Sequence, residues 1–379
     1  MQLIYDHSIF MEARIGGVLR HVLELVRGIH DLPEADDVTI NVAAGFYHAP
    51  VTAADLPAGT LHGRRVPRFR GSMRLYSMIN RLQLRRTLRA ADVSPAVLHE
   101  TLYGNAISLP PRMKRVIVLH DTIWEDSPDR QLHASALRRK ATSIHGADGV
   151  IFVSQATRDG FHRHYPAPRV ETVIHHGCEL RTTRERRRPS VPEPFLLYVG
   201  QREGYKNWSR LATTFAESGL SKTHHLVAFG PPPSAGERDF VEASGAAGRF
   251  LWRGGSDDDL ADLYAAADCF VYPSLAEGFG IPLVEAAKFG CPVACSDIPP
   301  FREVLGRHAH FFPPLDIRRM GDALTAAVAG GRGAQPVLAA KASCERYNWR
   351  ETARATLDFY RRVAGEEPRP VHGNKGRLQ

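Results

Sequence analysis

Short apolar runs alternate with amphipathic segments through the first half of the chain. Gln2–Asp6 (QLIYD) has the pattern of a strand, and VTINVAA, AVLHE, RVIVLHD and GVIFVS predict further strands. Several of these runs are apolar throughout, which is typical of strands buried on both faces of a parallel sheet. GGVLRHVLELVRGIH predicts a helix that opens at Gly16 and Gly17. This alternation predicts an α/β layer fold. The residues on the inner face of the first helix are predicted to be Val18, Val22, Leu25, Val26 and Ile29.

The same alternation restarts after a break in the middle of the chain. FLLYVG, HHLVAFG, RFLWRG, CFVYPS and CPVACSD predict strands, and helices are predicted from about Trp208, through DDDLADLYAAA and at IPLVEAAKFG. The break itself, from Leu180 to Phe195, is charged, rich in proline and without periodicity, which indicates a linker. The second half therefore predicts a second doubly wound domain. We expect an N-terminal domain over residues 1–180, a linker over 181–194, a C-terminal domain over 195–347, a helix over 348–364 that packs back on the N-terminal domain, and a mobile tail over 365–379.

Composition agrees with two folded domains. The chain has 379 residues, of which 43% are hydrophobic and 24% charged, as in ordinary globular proteins. The N-terminus lacks a basic segment followed by a long apolar run, and no window approaches about 18 uninterrupted apolar residues, so we expect neither a signal peptide nor a membrane span. The five cysteines show no CxxC pair and no zinc-ligand spacing, which indicates reduced core thiols of a cytoplasmic protein. They are Cys178, Cys269, Cys291, Cys295 and Cys344.

Positive charge is concentrated in one segment. The net charge is +8, which favours an anionic partner, and residues 64–89 contain nine arginines and no acidic residue. Within that segment an apolar stripe has helical spacing, and the arginines lie largely elsewhere on the helix. Two interpretations stay open: the helix lies on an anionic membrane surface, or the stripe packs on the N-terminal domain and the arginines are solvated. The stripe consists of Leu75, Met78, Ile79 and Leu82.

The stretch PSLAEGFGIPLVEAAKFGCPVACSD places two carboxylates around a glycine-rich turn. Glu277 precedes the turn and Glu285 follows it, and Pro282 stands where a helix would begin. The amides of Leu283 and Val284 are predicted to be free at the helix N-terminus, which suits a phosphate or diphosphate. Carboxylates are tolerated beside an anion if they accept hydrogen bonds from sugar hydroxyls. The spacing of Glu277 and Glu285 therefore suggests that the ligand is a nucleotide sugar. The alternative is a solvated turn residue and a first-turn carboxylate favoured by the helix dipole.

Five blocks of sequence resemble the retaining glycosyltransferases of family 4. EGFGIPLVEA, with PS upstream and GCPVACSD downstream, is similar to the E-x7-E signature of that family. LYVGQREGYKN, LHDTIWEDSP, VSQATRDGF and CERYNW resemble its other blocks, in family order and over nearly the whole chain. The resemblance implies a GT-B fold, in which two Rossmann-like doubly wound domains face each other across a deep cleft. In amino-acid sequence, these blocks look most like those of the GDP-mannose-dependent mannosyltransferases of surface-polysaccharide assembly.

The resemblance also implies roles for residues of the C-terminal domain. Glu277 falls on the glutamate that contacts the hydroxyls of the donor hexose, and Glu285 on the one that binds the ribose. Arg202 and Lys206 resemble the basic pair that neutralises the diphosphate. Fixed cations there would stabilise the transition state, because cleavage leaves extra charge on the nucleotide; the alternative is a pair that merely decorates a surface loop. The turn residues implied to hold hexose hydroxyls and phosphate are Gly278, Phe279, Gly280 and Leu283.

In the N-terminal domain the resemblance points to a histidine and a glycine pair. His120 and Asp121 end an apolar strand, where open α/β sheets place ligand contacts. His120 is implied to face the donor sugar, although a histidine at a strand end is also often structural, and Asp121 alternatively caps the next turn. Gly16 and Gly17 resemble a loop that closes over phosphate and acceptor; a tight strand-to-helix turn explains them equally well.

Together these observations predict a retaining hexosyltransferase that transfers mannose from GDP-mannose to a glycan or lipid-linked glycan. In this class the leaving phosphate, not a protein carboxylate, takes the acceptor proton. No cofactor or metal is expected, since SDDDL is better explained as a helix cap. A UDP-sugar donor, or a non-catalytic basic nucleotide- or polyanion-binding protein, are the alternatives. We expect cytoplasmic location, with peripheral attachment at the inner face of the plasma membrane if the arginine-rich helix lies on a membrane surface.

Two other classes of protein are disfavoured by the sequence. A nucleic-acid-binding protein would explain the positive charge, but the chain has no RNP, zinc-finger or helix-turn-helix signature. A dinucleotide-dependent oxidoreductase would explain two Rossmann-like halves, but neither half has a G-x-G-x-x-G after a strand. We therefore expect no nucleic-acid partner.

Overall fold

The computed structural model describes residues 1–12, 16–91, 95–104, 107–202 and 204–366. The chain divides into two compact units. The first contains Met1–Gly177 and the C-terminal residues from Asn348 onward, and the second is Cys178–Tyr347. Most of the predicted mobile tail, residues 367–379, lies outside the described residues.

The first unit is built on a parallel six-stranded sheet. The strand order is β2-β1-β5-β6-β7-β8, so the chain extends the sheet on one side of β1 and then crosses to the other. All five strands predicted here are present. The short edge strand β8 was missed because VETV is half polar and only partly buried. The strands are β1 (Gln2–Tyr5), β2 (Thr39–Val42), the small parallel pair β3 (Phe46–Tyr47) and β4 (Arg64–Arg65), β5 (Ala96–Glu100), β6 (Met113–Leu119), β7 (Gly149–Phe152) and β8 (Val170–Val173).

The second unit has a related topology. Its parallel sheet has the order β11-β10-β9-β12-β13-β14, so its first strand, β9, has two strands on one side and three on the other, and the chain again changes direction beside the first strand. The five predicted strands are confirmed, and only the three-residue β14 was missed. Both halves are therefore doubly wound Rossmann-like units, as expected. The strands are β9 (Phe195–Val199), β10 (His225–Phe229), β11 (Phe250–Arg253), β12 (Cys269–Tyr272), β13 (Val293–Ser296) and β14 (His310–Phe312).

Helices cover the faces of both sheets, because most of the strands are followed by an amphipathic helix. The helices of the first unit are α1 (Gly17–His30), α2 (Ser72–Ala90), α3 (Ala134–His145) and α4 (Gln155–His164). Those of the second unit are α5 (Trp208–Glu217), α6 (Ala235–Ala243), α7 (Asp257–Ala266), α8 (Ile281–Lys288), α9 (Pro299–Leu305), α10 (Ile317–Gly330) and α11 (Gln335–Cys344). The last helix, α12 (Trp349–Ala364), belongs to the first unit.

Helix α12 packs along α1 within the first unit. A Cβ placed on Gly28 would lie 2.9 Å from the Cβ of Ala353, so glycine allows the two helices to approach closely. Further along, the hydroxyl of Tyr360 lies 3.4 Å from that of Tyr5 and 2.5 Å from Nδ1 of His99. The C-terminal helix is therefore fixed to the sheet of the first unit by both packing and polar contacts.

The predicted linker is an extended segment attached to the second unit. The amide of Arg181 donates to Asp257, and the amide and hydroxyl of Thr183 both donate to Asp258. Arg184 forms an ion pair with Asp262 of α7 at 2.8 Å. The aspartates at the start of α7 therefore anchor this segment.

Two negative expectations from composition can be compared with the described residues. No described helix is both long and apolar enough to cross a membrane. All five cysteines are buried, and none forms a disulfide. Burial raises the pKa of the Cys291 thiol to about 12 and the pKa of the Cys344 thiol to about 11.

Candidate functional site

The two loops that follow β9 and β12 meet at the point where the sheet of the second unit changes direction. These strands are neighbours, so their carboxyl ends lie together, and open α/β sheets bind ligands at such switch points. Asn207 adopts a left-handed conformation, with φ 59°, and its side-chain amide donates to the carbonyls of Pro273 (3.0 Å) and Pro314 (2.7 Å). The amide of Leu275 donates to the carbonyl of Tyr205 at 2.7 Å. These bonds hold the two loops in register.

Lys206 and Glu277 form an ion pair between these loops. The Lys206 Nζ lies 2.6 Å from Glu277 Oε1, which also accepts a hydrogen bond from Ser274 Oγ at 2.8 Å. Their side chains are only 16% and 11% exposed. Glu277 is therefore held by two donors and is not the solvated turn residue of the alternative interpretation. Gly278, the next residue, is buried. The pair places one cation and one carboxylate at the switch point.

The ammonium of Lys206 stays protonated in this setting. Burial acts to lower the pKa of Lys206, but the adjoining Tyr272 and Glu277 outweigh it and hold the pKa well above its ordinary value. Burial, reinforced by Glu277, likewise raises the pKa of Tyr272, whose hydroxyl lies 3.4 Å from Lys206 Nζ. Tyr272 is therefore a neutral phenol beside a fixed positive charge.

A glycine in the left-handed region separates the turn from α8. Gly280 has φ 105°, and a Cβ there would lie 3.1 Å from both Leu283 Cδ1 and Phe301 Cε1. Any other residue would be strained in backbone and crowded in side chain. The preceding Phe279 is buried and packs edge-on against Tyr347, with ring centroids 5.4 Å apart. The turn is therefore rigidly held at both ends.

The start of α8 differs from the prediction in which backbone amides are free. Pro282 lies in the first helical turn as expected. However, the amides of Leu283 and Val284 both donate to the carbonyl of Gly280, at 2.9 and 3.5 Å, so the prediction that they are free was wrong. A first helical turn that tightens in this way satisfies its own donors. Within the described residues, the amides of Gly280 and Ile281 have no such acceptor, and they are the donors open to an anion here.

Glu285 lies inside α8, one turn beyond its start, and is only 4% exposed. The hydroxyl of Tyr264, on α7, donates to its Oε2 at 3.2 Å. A buried carboxylate needs such donors, because an ion without hydrogen bonds is costly to desolvate. Glu285 is thus a positioned, buried acceptor and not an exposed first-turn residue stabilised only by the helix dipole.

Arg202 does not join Lys206, although the resemblance implies that the two act together. It is 7% exposed, and its Nε donates to Glu237 at 2.6 Å while Nη2 donates to the carbonyl of Pro231 at 2.7 Å. The guanidinium also lies over Trp252, 4.9 Å from the ring centroid. Its Nη1 is buried without a hydrogen-bond partner among the described atoms. Arg202 is therefore no surface decoration. It has a structural role, and its contact with the donor diphosphate stays a prediction.

In the first unit, His120 belongs to a cluster of three histidines. It follows β6, as predicted, and its ring stacks on that of His176 with centroids 5.6 Å apart and an interplanar angle of 8°. His21 of α1 meets His120 edge-on at 5.4 Å, and its Nδ1 lies 2.9 Å from Nδ1 of His176. The Nε2 of His21 is buried without a partner among the described atoms. His120 is therefore supported by two histidines that sequence reasoning missed.

All three imidazoles are neutral at pH 7. Burial lowers the pKa of His176 to about 3 and holds the pKa of His21 and of His120 well below 6.5, an effect that the neighbouring rings reinforce. A neutral imidazole offers one donor and one acceptor to a ligand. His21 could have been suspected, because it falls among the inner-face positions of α1; His176 follows β8, the strand that was not predicted.

The remaining residues to which the sequence analysis assigned roles in the first unit are Gly16, Gly17 and Asp121. Helix α1 begins at Gly17 with Gly16 as its cap, and a Cβ on either glycine would meet no atom within 4 Å. Packing therefore does not require glycine at either position. The carboxylate of Asp121 accepts from the amide of Ile123 at 3.1 Å, so Asp121 does cap the following turn.

The acidic segment SDDDL begins α7, as predicted. Ser256 is the cap, and its side chain and that of Asp259 form the reciprocal hydrogen bonds of a capping box. Among the described residues, no three His, Cys, Asp or Glu side chains are gathered so that they could hold a metal ion.

Comparison with known families assigns both halves of the chain. A family model described as Glycosyltransferase Family 4 matches residues 15–182, and one described as Glycosyl transferases group 1 matches residues 181–335. Together they account for the two Rossmann-like units in succession. The chain belongs to the family 4 glycosyltransferases.

Solved structures agree with this assignment at the level of the fold. The sucrose-phosphate synthase of Thermosynechococcus elongatus superimposes with a TM-score of 0.70 at 18% identity, covering 96% of this chain and 98% of that one. WaaG, a glycosyltransferase of lipopolysaccharide biosynthesis, gives a TM-score of 0.62 at 16% identity, over 96% and 98% of the two chains. The fold is GT-B, as the sequence predicted.

Several curated relatives are mannosyltransferases, and others are D-inositol 3-phosphate glycosyltransferases. The O-antigen chain mannosyltransferase B of Escherichia coli is 25% identical over 377 residues, covering 91% of this chain and 96% of that protein. The serotype-specific mannosyltransferase WbdA of Escherichia coli is 26% identical over 314 residues, which are 74% of this chain and 38% of WbdA. The O-antigen chain mannosyltransferase RfbU of Salmonella typhimurium is 49% identical over 61 residues, 16% of this chain.

Proposed function

We propose that this glycosyltransferase transfers mannose from GDP-mannose, with retention of anomeric configuration, to a glycan or lipid-linked glycan of a surface polysaccharide. The main support is the Lys206–Glu277 pair at the switch point of the second unit, with buried Glu285 on the helix that follows. The relatives described as O-antigen chain mannosyltransferases support mannose as the sugar.

The donor is held by side chains of the second unit. Glu285 accepts hydrogen bonds from the ribose hydroxyls, and Glu277 accepts them from hydroxyls of the hexose. The second oxygen of Glu277 is suited to this, because Lys206 and Ser274 both donate to Oε1. The Lys206 ammonium has three donors, so it can contact a phosphate oxygen while it keeps its bond to Glu277.

The same arrangement stabilises the transition state. As the bond between the hexose C1 and the phosphate oxygen breaks, negative charge grows on the diphosphate, and a fixed, largely desolvated ammonium stabilises that charge more than it stabilises the bound donor. The acceptor hydroxyl attacks C1 from the face that the phosphate leaves, and its proton passes to the leaving phosphate oxygen. Glu277 orients the hexose and does not attack it. No metal is needed in this scheme.

His120 is the residue of the first unit that we assign to sugar recognition. Its imidazole is neutral, so it can accept from or donate to a sugar hydroxyl without carrying a charge. His21 and His176 fix the ring by edge and stacking contacts.

Two experiments test this proposal. A thermal-shift panel of GDP, UDP, ADP and their sugar conjugates, with and without EDTA, identifies the base: a ligand at about 100 times its Kd stabilises the fold by about 2.7 kcal/mol. We expect stabilisation by GDP ligands, unaffected by EDTA. Stabilisation by UDP ligands alone would instead identify a UDP-sugar donor.

The second experiment measures the reaction. Labelled mannose from GDP-mannose should enter the glycolipid fraction of membranes incubated with wild type but not with Glu277→Gln. Nuclear magnetic resonance of the product should show the anomeric configuration of the donor. Label transfer that is equal in the variant, or an inverted product, would refute the assigned mechanism. Nucleotide binding without transfer to any acceptor would favour a non-catalytic binding protein.

A further inference from the structure

Helix α2 is fixed to the first unit by one face. Leu84 and Leu88 are buried in a hydrophobic cluster with residues of the sheet, including Ile4. The buried side chain of Asn80 accepts from the amide of Phe46 at 2.9 Å and donates to its carbonyl at 2.7 Å. These contacts determine which side of α2 faces outward.

The outward side of α2 is apolar. Leu75, Met78 and Leu82 are 43%, 58% and 52% exposed, and at 3.6 residues per turn they lie opposite the buried positions. Phe69, just before the helix, is 51% exposed. Only Ile79 of the predicted stripe is partly buried. The interpretation in which this stripe packs on the domain is therefore wrong for its three other members.

Arginines surround these apolar side chains. The segment 64–89 has nine arginines and no carboxylate, and the five arginines of α2 are exposed. Within the described residues no acidic side chain forms an ion pair with four of them: Arg74, Arg85, Arg86 and Arg89. The surface is thus both apolar and unneutralised.

We propose that this surface docks on an anionic lipid bilayer. The outer face of α2, which we define as Leu75, Met78 and Leu82 with the flanking arginines and Phe69, would insert its apolar side chains at the level of the headgroups. Its guanidinium groups would bind lipid phosphates. A rigid amphipathic helix with an apolar stripe inside a basic border has the chemistry of an interfacial anchor.

Other occupants of this face fit the same observations less well. A nucleic acid or another polyanion would be attracted by the arginines but would leave the exposed leucines and methionine uncovered. A second copy of the chain in a symmetric dimer would place arginine against arginine, and such like-charge contacts are costly. The anionic bilayer satisfies both the charge and the apolar stripe.

The test is co-sedimentation of the full chain with vesicles of phosphatidylcholine alone or of phosphatidylcholine with phosphatidylglycerol. We expect binding only to the anionic vesicles, weakening steeply as salt rises. The double variant Met78→Ser/Leu82→Ser should bind at least tenfold more weakly. The triple variant Arg85→Gln/Arg86→Gln/Arg89→Gln should lose both binding and salt dependence.

Matched controls separate this surface from exposure or charge in general. Leu132 and Leu315 are 81% and 63% exposed but lie elsewhere, so Leu132→Ser/Leu315→Ser should bind like wild type. Arg318→Gln removes an exposed arginine of α10 and should also leave binding unchanged. All substituted positions are solvent-exposed, and circular dichroism checks that each variant is folded.

Three results would overturn the proposal. The first is equal vesicle binding by wild type and Met78→Ser/Leu82→Ser. The second is binding of a single-stranded RNA probe, reduced by the arginine variant, with no binding to vesicles. The third is a dimer in sedimentation velocity that Met78→Ser/Leu82→Ser converts to a monomer. None of these depends on the identity of the sugar donor.

Discussion

Lys206 Nζ and Glu277 Oε1 lie 2.6 Å apart and join the loops that follow the neighbouring strands β9 and β12. Each partner is costly to bury alone, so each stabilises the other in the unliganded protein. The pair also fixes a cation and a carboxylate at the switch point, where the donor binding that we propose requires one for the diphosphate and one for the hexose. Under that proposal, one contact serves both stability and function.

Replacement of the lysine tests the charge that we assign to the leaving group. Lys206→Gln removes the ammonium but keeps a donor for Glu277. We expect kcat to fall by about 100-fold or more, the range seen when one transition-state donor is removed, with a smaller change in KM. Steady-state kinetics with GDP-mannose measure this. Lys222→Gln, at an exposed lysine of the same unit, should behave like wild type; a K206Q enzyme with unchanged kcat would contradict the assignment.

Removal of the Tyr264 hydroxyl tests the role of Glu285 while the glutamate itself stays in place. Tyr264→Phe removes the 3.2 Å hydrogen bond to Glu285 Oε2. A hydrogen bond to a charged group is worth about 1.5–3 kcal/mol, so we expect both lower stability and a nucleotide Kd raised by about tenfold. Calorimetric titration with GDP measures the affinity. If Y264F loses stability but keeps the wild-type Kd, then Glu285 is structural.

Substitution of Arg202 should lower the stability of the protein, whether or not it also weakens donor binding. Arg202→Ala leaves Glu237 without its ion-pair partner and removes packing on Trp252. Breaking a buried pair costs about 3 kcal/mol or more, although the 18% exposure of Glu237 reduces this. Urea denaturation should therefore show a clear loss, and Glu237→Gln a smaller one. A fully stable R202A would show that these contacts contribute little.

Because several histidines are buried in their neutral form, we expect the free energy of unfolding to fall as the pH is lowered. Burial lowers the pKa of His176 to about 3 and of His99 to about 4, below 6.5 in the unfolded chain. At pH values between the folded-state and unfolded-state pKa, the unfolded state therefore binds more protons than the native state. The free energy of unfolding consequently falls as the pH drops below about 6.5. Each such group contributes up to about 1.4 kcal/mol per pH unit.

The variant His176→Gln isolates one of these groups. Urea denaturation between pH 5 and 7 should show a shallower pH dependence in the variant than in wild type, whatever its stability at pH 7. Equal slopes in the two proteins would mean that His176 is not buried in its neutral form.

Much of the fold could be predicted because long apolar strands and amphipathic helices have strong periodicity. The strands that were missed in the two large sheets, β8 and β14, are short edge strands whose residues are only partly buried or few. The two-residue strands β3 and β4 were missed as well. No local pattern distinguishes such segments from loops, and only pairing with a neighbouring strand defines them.

The candidate site could be predicted less completely. The sequence placed Glu277, Lys206 and His120 after strands, but the contact between Lys206 and Glu277 spans 71 residues and depends on which strands are neighbours. The partners of Arg202 come from β11 and α6, and so the difference between its surroundings and those of Lys206 could not be predicted. The histidine cluster likewise requires α1, β6 and β8 to be assembled.

The most direct test of the account is calorimetric titration of GDP-mannose and GDP into wild type, Glu277→Gln and Glu285→Gln. We expect wild type to bind both ligands, Glu285→Gln to lose affinity for both by at least tenfold, and Glu277→Gln to lose affinity for GDP-mannose but not for GDP. That pattern would place the nucleotide at Glu285 and the hexose at Glu277. Equal affinities in all three proteins would contradict the site that we assign to the donor.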